Sequence, residues 1–125
     1  MLPLLLAAAL IGPVPDPPPY GAPPRPADNQ ITLSYQAQAG FAMAVKLTCD
    51  PPGGGHPRAV QACATLERVD ADPSRIKRAS TLCVLLYQPV TATMTGTWQG
   101  RQVSWTHRFG NTCDMRRATG DLFRF

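Results

Sequence analysis

Four cysteines, at positions 49, 63, 83 and 113 of a 125-residue chain, constrain the fold more than any other feature. An even set in so small a chain suits two disulfides formed in an oxidising compartment. Such bonds stabilise by restricting the unfolded chain. Paired in sequence order, Cys49 with Cys63 and Cys83 with Cys113 would contribute about 3 and about 3.5 kcal/mol. Three pairings are open, and loop entropy does not choose among them. Zinc is the rival use of the cysteines. No cysteine lies two to four residues from another, and His56 and His107 stand at no finger-like spacing. No metal and no other cofactor is therefore expected.

The prolines set the domain boundary. Nine of the 14 fall at positions 3, 13, 15, 17, 18, 19, 23, 24 and 26, so the folded part begins after Pro26. The chain thus divides into a signal-like apolar segment over 1–12, a Pro-rich disordered leader over 13–28 and one folded domain over 29–125. The apolar run Met1 to Ile11 is far short of the roughly 20 residues of a membrane span and reads as the core of a secretory signal. It lacks the basic start such signals carry, the first charge being Asp16, so the signal is expected to be incomplete. Secretion to the extracellular space agrees with the cysteines. With 44% hydrophobic and 16% charged residues, the chain can build a core. Its net charge of +4 is spread along the sequence and mixed with acids. Arg116-Arg117 reads as a solvated face, and neither nucleic acid nor membrane is expected as a partner.

Within the domain the pattern is mostly strand. Ile31, Leu33 and Tyr35 alternate with polar residues, as do Met43, Val45 and Leu47 with Ala44 and Lys46, with Gly40 supplying the turn between them. Asp50 to Gly55, Pro- and Gly-rich throughout, reads as irregular. Pro57 suits the first turn of a helix in which Ala59, Val60, Cys63, Leu66 and Val69 recur at helical spacing. The helix is expected to end near Val69. Val90, Ala92 and Met94 alternate with threonines, Gln99-Gly100 reads as a hairpin turn, and Val103, Trp105, His107 and Phe109 form one face of a further strand. His107, on that apolar face, is expected to be partly buried and hydrogen-bonded. Asn111 or Thr112 can cap a short helix through Ala118, and Leu122 to Phe125 reads as a terminal strand. The class is α+β, an antiparallel sheet with helix on one face.

Enzymatic readings fare poorly. Ser104, His107 and Asp114 could form a triad, but no nucleophile elbow marks any serine. Asp70 and Asp72 sit in a turn where capping is the plainer role, and Gly53 to Gly55 lacks the Lys-Ser/Thr of a phosphate loop. The chain is not expected to be an enzyme. Leu82 to Tyr87, taken alone, is an apolar run that reads as a buried strand.

Its neighbours change that reading. Leu47-Thr-Cys49, His56-Pro57, Ala62-Cys63, Cys83, Tyr87, Pro89-Val90, Gly96, Trp98-Gln-Gly100, Val103, Phe109, Asn111, Cys113, Met115 and Phe123 with Phe125 run in register from about residue 45 to the end. On these stretches, roughly two-thirds of the chain, the sequence resembles the subtilisin inhibitor-like family. The first strand matches loosely and the leader not at all. The chain departs from the family pattern at Val84, where proline is common, and in a shorter glycine-rich loop after Cys49.

The resemblance implies a five-stranded antiparallel sheet with two helices, the pairings Cys49 with Cys63 and Cys83 with Cys113, and a homodimer formed through the sheet. It also implies a reactive bond between Leu85 and Leu86. Leu85 would fill the primary pocket of a secreted serine protease, Val84, Cys83 and Leu82 would face neighbouring subsites, and Leu86 and Tyr87 would lie on the leaving side. Pro89 would limit the loop. A protease binds its substrate as an extended strand, and a segment already ordered avoids much of the conformational cost of docking. An apolar residue at position 85 suits a subtilisin-like or chymotrypsin-like pocket better than a trypsin-like one. The expected function is substrate-like, reversible inhibition; the alternative is a secreted disulfide-bonded binding module without inhibitory activity. Inhibition requires residues 82–86 to be exposed and extended, whereas a module could bury them.

Overall fold

The computed structural model describes residue 12 and residues 28–125, so the signal-like segment and the Pro-rich leader lie almost wholly outside the described residues. Two alternating stretches make the centre of the sheet. In β1 (Asn29–Ala37) Ile31, Leu33 and Tyr35 point into the core, and in β4 (Val90–Trp98) Val90, Ala92, Met94 and Trp98 do the same. Their threonines and serines take the other face, as a period of two requires. β2 (Ala42–Thr48) pairs with the outer side of β1, and β5 (Arg101–Phe109) pairs with β4 through the hairpin at Gln99-Gly100. Gly40, at φ 110°, sits in the turn between β1 and β2. A two-residue strand, β3 (Gly53–Gly54), completes an antiparallel sheet of order β3-β2-β1-β4-β5.

Both helices cover the same face. α1 (Ala59–Val69) sends Ala62, Cys63 and Leu66 into the cluster formed by Ile31, Leu33 and Met94, and α2 (Thr112–Thr119) adds Met115. The helical stripe read from residues 59 to 69 thus lands where its spacing predicts, except that Val60 is exposed. The pairings are Cys49–Cys63, which joins the end of β2 to α1, and Cys83–Cys113, which joins residue 83 to α2. No helix among the described residues is long and apolar enough to cross a membrane.

Three local expectations are overturned. The fifth strand is Gly53–Gly54 and not Leu122 to Phe125. Glycine makes that possible: at Gly54, φ 87°, a Cβ would lie 2.4 Å from the carbonyl oxygen of Lys46. The stretch read as irregular therefore joins the sheet because it lacks side chains. The C-terminal residues are held by side chains and not by a ladder. Tyr35 Oη donates to the Phe125 carbonyl at 2.9 Å, while Leu122 and Phe123 are fully buried. The buried histidine is His56, not His107. Its Nδ1 accepts from Arg58 N, so Nε2 carries the proton and donates to the Leu122 carbonyl at 2.9 Å. One ring thereby caps the approach to α1 and fixes the C-terminal turn. His107 is exposed, stacked on Trp105 at 6.0 Å, because β5 is an edge strand.

Gly96 gives a stability prediction. In mid-strand at φ 143°, it leaves no room for a Cβ, which would lie 2.1 Å from the Gln30 carbonyl oxygen of β1. Gly96→Ala should destabilise the fold by about 3 kcal/mol or more, since backbone strain and overpacking add. The melting temperature should fall by more than about 10 °C in a thermal scan, and an unchanged value would contradict the close approach of β4 to β1 at Gly96.

Candidate functional site

Between the 3₁₀ turn Pro73–Arg75 and β4, the chain runs without regular structure. Here the longest apolar run outside the N-terminal segment faces solvent. Leu82 is 92% exposed, Val84 83%, Tyr87 76% and Leu86 54%, and Leu85 is exposed completely. The reading of residues 82–87 as a buried strand is therefore wrong for this chain. Stability cannot account for the arrangement, since burying each of these side chains would favour folding by about 1.5–3 kcal/mol. A contiguous exposed apolar patch of this kind marks an interaction site.

The exposed segment is nonetheless fixed from behind, chiefly by α2. Cys113, in the first turn of that helix, holds Cys83. Asn111 does two jobs with one amide. Its Oδ1 accepts from Asp114 N at 2.7 Å and so caps α2, which leaves Nδ2 free to donate to the carbonyls of Leu86 at 2.8 Å and Val84 at 3.4 Å. These are the two carbonyls flanking Leu85. Leu86 N also bonds the Val84 carbonyl at 2.8 Å, closing a three-residue turn with Leu85 at its apex. The loop is exposed, then, but bent at Leu85 and not extended throughout. Beyond it, Gln88 N donates to the Gly110 carbonyl at 2.8 Å, and Gln38 N donates to the Pro89 carbonyl at 3.0 Å, tying the exit to the β1–β2 turn.

The entry side rests on charge. Ala79 N donates to the Arg117 carbonyl at 2.9 Å, and Arg117 Nη1 donates to the Thr81 carbonyl at 3.4 Å. Asp114 accepts from Arg117 Nη2 at 2.7 Å and from Arg78. Burial pushes the Asp114 carboxyl up, but the hydrogen bonds and positive charges of Arg78 and Arg117 outweigh it and hold its pKa below the ordinary value of 3.8. A depressed carboxylate contributes stability above its unfolded pKa and loses it as pH falls through the lower, folded value. The Asp114 carboxylate should therefore keep its charge for both arginines at neutral pH and lose it only in acid. A concavity of about 390 Å³ lies under the loop, lined in part by Leu86, Asn111, Asp114 and Arg117.

The resemblance implies the loop, its disulfide between Cys83 and Cys113 and its limit at Pro89, but not the other supports. Asn111 was legible only as a helix cap, and Asp114, Arg117 and Arg78 carried no signal for this role. One clue lay in the cap itself: a capping amide uses its oxygen and keeps two N–H donors for something else. Of the triad considered from sequence, Asp114 is engaged by two arginines and His107 by aromatic stacking. Among the described residues no three His, Cys, Asp or Glu side chains gather as a metal site.

The family model described as Subtilisin inhibitor-like matches residues 26–111. Subtilisin inhibitor-like protein 4 of Streptomyces lavendulae is 45% identical over 100 residues, covering 76% of this chain and 86% of that protein. Protease inhibitor SIL-V2 of Streptomyces orinoci is 42% identical over 92 residues, 71% of this chain and 84% of that one. A subtilisin inhibitor of Streptomyces violaceus is 43% identical over 81 residues, but the chain spans only 56% of its length. Among solved structures, Streptomyces caespitosus sermetstatin in complex with Bacillus licheniformis subtilisin superposes with a TM-score of 0.64 at 26% identity, over 78% of this chain and 98% of the other.

Proposed function

This chain belongs to the subtilisin inhibitor-like family, and from that premise we propose that it is a secreted inhibitor of serine proteases with apolar primary pockets, subtilisin-like or chymotrypsin-like. In this reading the loop enters the active site as a substrate would, the single hydrogen bond from Leu86 N to the Val84 carbonyl opening on docking so that the turn at Leu85 straightens. Leu85 fills the primary pocket, Leu82, Cys83 and Val84 lie in the subsites before it, and Leu86 and Tyr87 lie on the leaving side. Cys83, bonded to Cys113, holds one side of the Leu85–Leu86 bond, while Asn111 and the Pro89 contacts hold the other. Both ends then stay in place after attack, so that religation competes with hydrolysis.

The observation that carries the reading is an apolar loop exposed to solvent yet held by a disulfide and by Asn111. Two formed disulfides support the extracellular location, since such bonds persist in oxidising surroundings. A dimer through the open sheet face completes the proposal. That face carries Thr32, Ser34, Thr93, Thr95, Ser104 and Thr106, small side chains on which a second copy can pack closely. Sedimentation tests the dimer, and a monomer at micromolar concentration contradicts it.

The function is tested by titrating the purified protein against subtilisin, chymotrypsin and trypsin. Stoichiometric inhibition of the first two and little effect on the third is expected; failure to inhibit any of them would favour a binding module. Asn111→Ala separates the loop from the fold. Removing the two loop hydrogen bonds should weaken inhibition about ten- to hundredfold, while losing the cap lowers stability by only about 1 kcal/mol. Inhibition constants and melting curves together check this, and an affinity loss no larger than the stability loss would remove Asn111 from the site.

A further inference from the structure

The segment leading into the loop has its own pattern. Arg75, Lys77 and Arg78 put three cations into four residues, including an adjacent pair. From Arg75 to Ser80 every residue is exposed except the half-buried Ile76, and beyond the 3₁₀ turn none lies in a strand or helix. Proteases take their substrates as single extended strands. Most other described cations are withheld from them in strands and helices, apart from Arg58 at the start of α1 and Arg124 in the terminal turn. Two contacts must open for this strand to enter a protease: the ion pair of Arg78 with Asp114, whose arginine is 51% exposed and which is weak at a surface, and the single hydrogen bond from Ala79 N to the Arg117 carbonyl.

We propose that the Arg78–Ala79 bond is a cleavage site for trypsin-like proteases, whose primary pocket carries a carboxylate, and that the cut switches the inhibitor off. Water adds to the Arg78 carbonyl carbon and the C–N bond to Ala79 breaks, leaving a carboxylate on Arg78 and an ammonium on Ala79. No oxidant or reductant takes part. The specificity is opposite to that of Leu85: a pocket carrying a carboxylate rejects the apolar loop and accepts Arg78. The disulfide pattern decides the fate of the cut protein. Cys49–Cys63 lies wholly before the cut and Cys83–Cys113 wholly after it, so the two pieces are held together without a covalent bond, by β1–β4 pairing, the shared core and side-chain contacts such as Tyr35 with Phe125 and His56 with Leu122. Residues 79–82 then lose their covalent flank, and the loop must be ordered again on docking.

The switch rests on the reading of the Leu85–Leu86 loop; the cleavage does not. The test is limiting trypsin on the full chain, followed by mass spectrometry, denaturing electrophoresis without reductant and a subtilisin titration. The first cut should create a chain beginning at Ala79, the pieces should separate without reduction, and the inhibition constant for subtilisin should rise about tenfold or more. A Lys77→Gln/Arg78→Gln double variant, its fold checked by melting, should be cut at least about a hundredfold more slowly there. A first cut elsewhere, or resistance of the intact chain, overturns the site. A cut at Ala79 that leaves subtilisin inhibition unchanged overturns the switch. If the uncut protein does not inhibit subtilisin, the loop reading and the switch both fail, while the mapped cut is judged on its own.

Discussion

Leu85→Lys should move this protein from subtilisin and chymotrypsin to trypsin. In the free chain Leu85 is fully exposed, so the substitution should leave stability within about 0.5 kcal/mol. Its whole effect must then appear on binding. Against an apolar pocket the variant loses the burial of a leucine, about 1.5–3 kcal/mol. It also carries an ammonium into a site with no partner, which costs a further few kcal/mol. Together these weaken inhibition about a hundredfold to ten-thousandfold. Against trypsin the same ammonium meets a buried carboxylate, and inhibition should appear that the parent lacks. Inhibition constants for both chains with all three proteases read this directly. If preference does not move, Leu85 does not occupy the primary pocket.

The second large effect comes from the disulfide behind the loop. Cys83→Ser/Cys113→Ser opens a link with a sequence separation of 30 residues and removes the only covalent tie between loop and α2. The stability loss should be about 3–4 kcal/mol, with a fall in melting temperature of about 15 °C or more. Inhibition should suffer further, because the segment released by attack on Leu85 is no longer tethered and hydrolysis outruns religation. The companion variant Cys49→Ser/Cys63→Ser separates the two effects. That bond closes 14 residues between β2 and α1, far from the loop in sequence, and its removal should lower the melting temperature by a similar amount while leaving inhibition below that temperature intact. Melting curves and time courses of residual protease activity measure both. If the two pairs of variants lose inhibition equally, the loop disulfide has no role beyond general stability.

The sheet and α1 were readable because their periods are written in side chains: Ile31, Leu33 and Tyr35 at two, Cys63 and Leu66 at helical spacing. What escaped was structure made by other means. Gly53–Gly54 enters the sheet by having no side chain, so no hydrophobic pattern announces it. Phe123 and Phe125 alternate as a strand would, yet Phe123 is buried by the core and Phe125 is fixed by a Tyr35 hydroxyl 90 residues away. His107 lies on an apolar strand face, but an edge strand exposes it, while His56, in a Pro- and Gly-rich stretch, is the buried one. At the loop the difficulty is different. Apolar residues 82–87 look like core because composition cannot distinguish a segment buried by its own fold from one kept for a partner's pocket. Only the resemblance implied that the segment is a loop offered to a partner. The support from Asn111, Asp114 and Arg117 depends on contacts across 25 residues or more, between α2 and a segment with no period of its own.

The central claim is that Leu85–Leu86 is the bond offered to the protease. The direct measurement is incubation with a catalytic amount of subtilisin until no further change occurs, then mass spectrometry before and after reduction. Because Cys83 and Cys113 lie on opposite sides of that bond, the cut protein should remain one species heavier by one water. On reduction it should separate into residues ending at Leu85 and residues beginning at Leu86, alongside uncut chain, with inhibition retained by the mixture. A first cut at any other bond, or digestion to fragments with loss of inhibition, would contradict it.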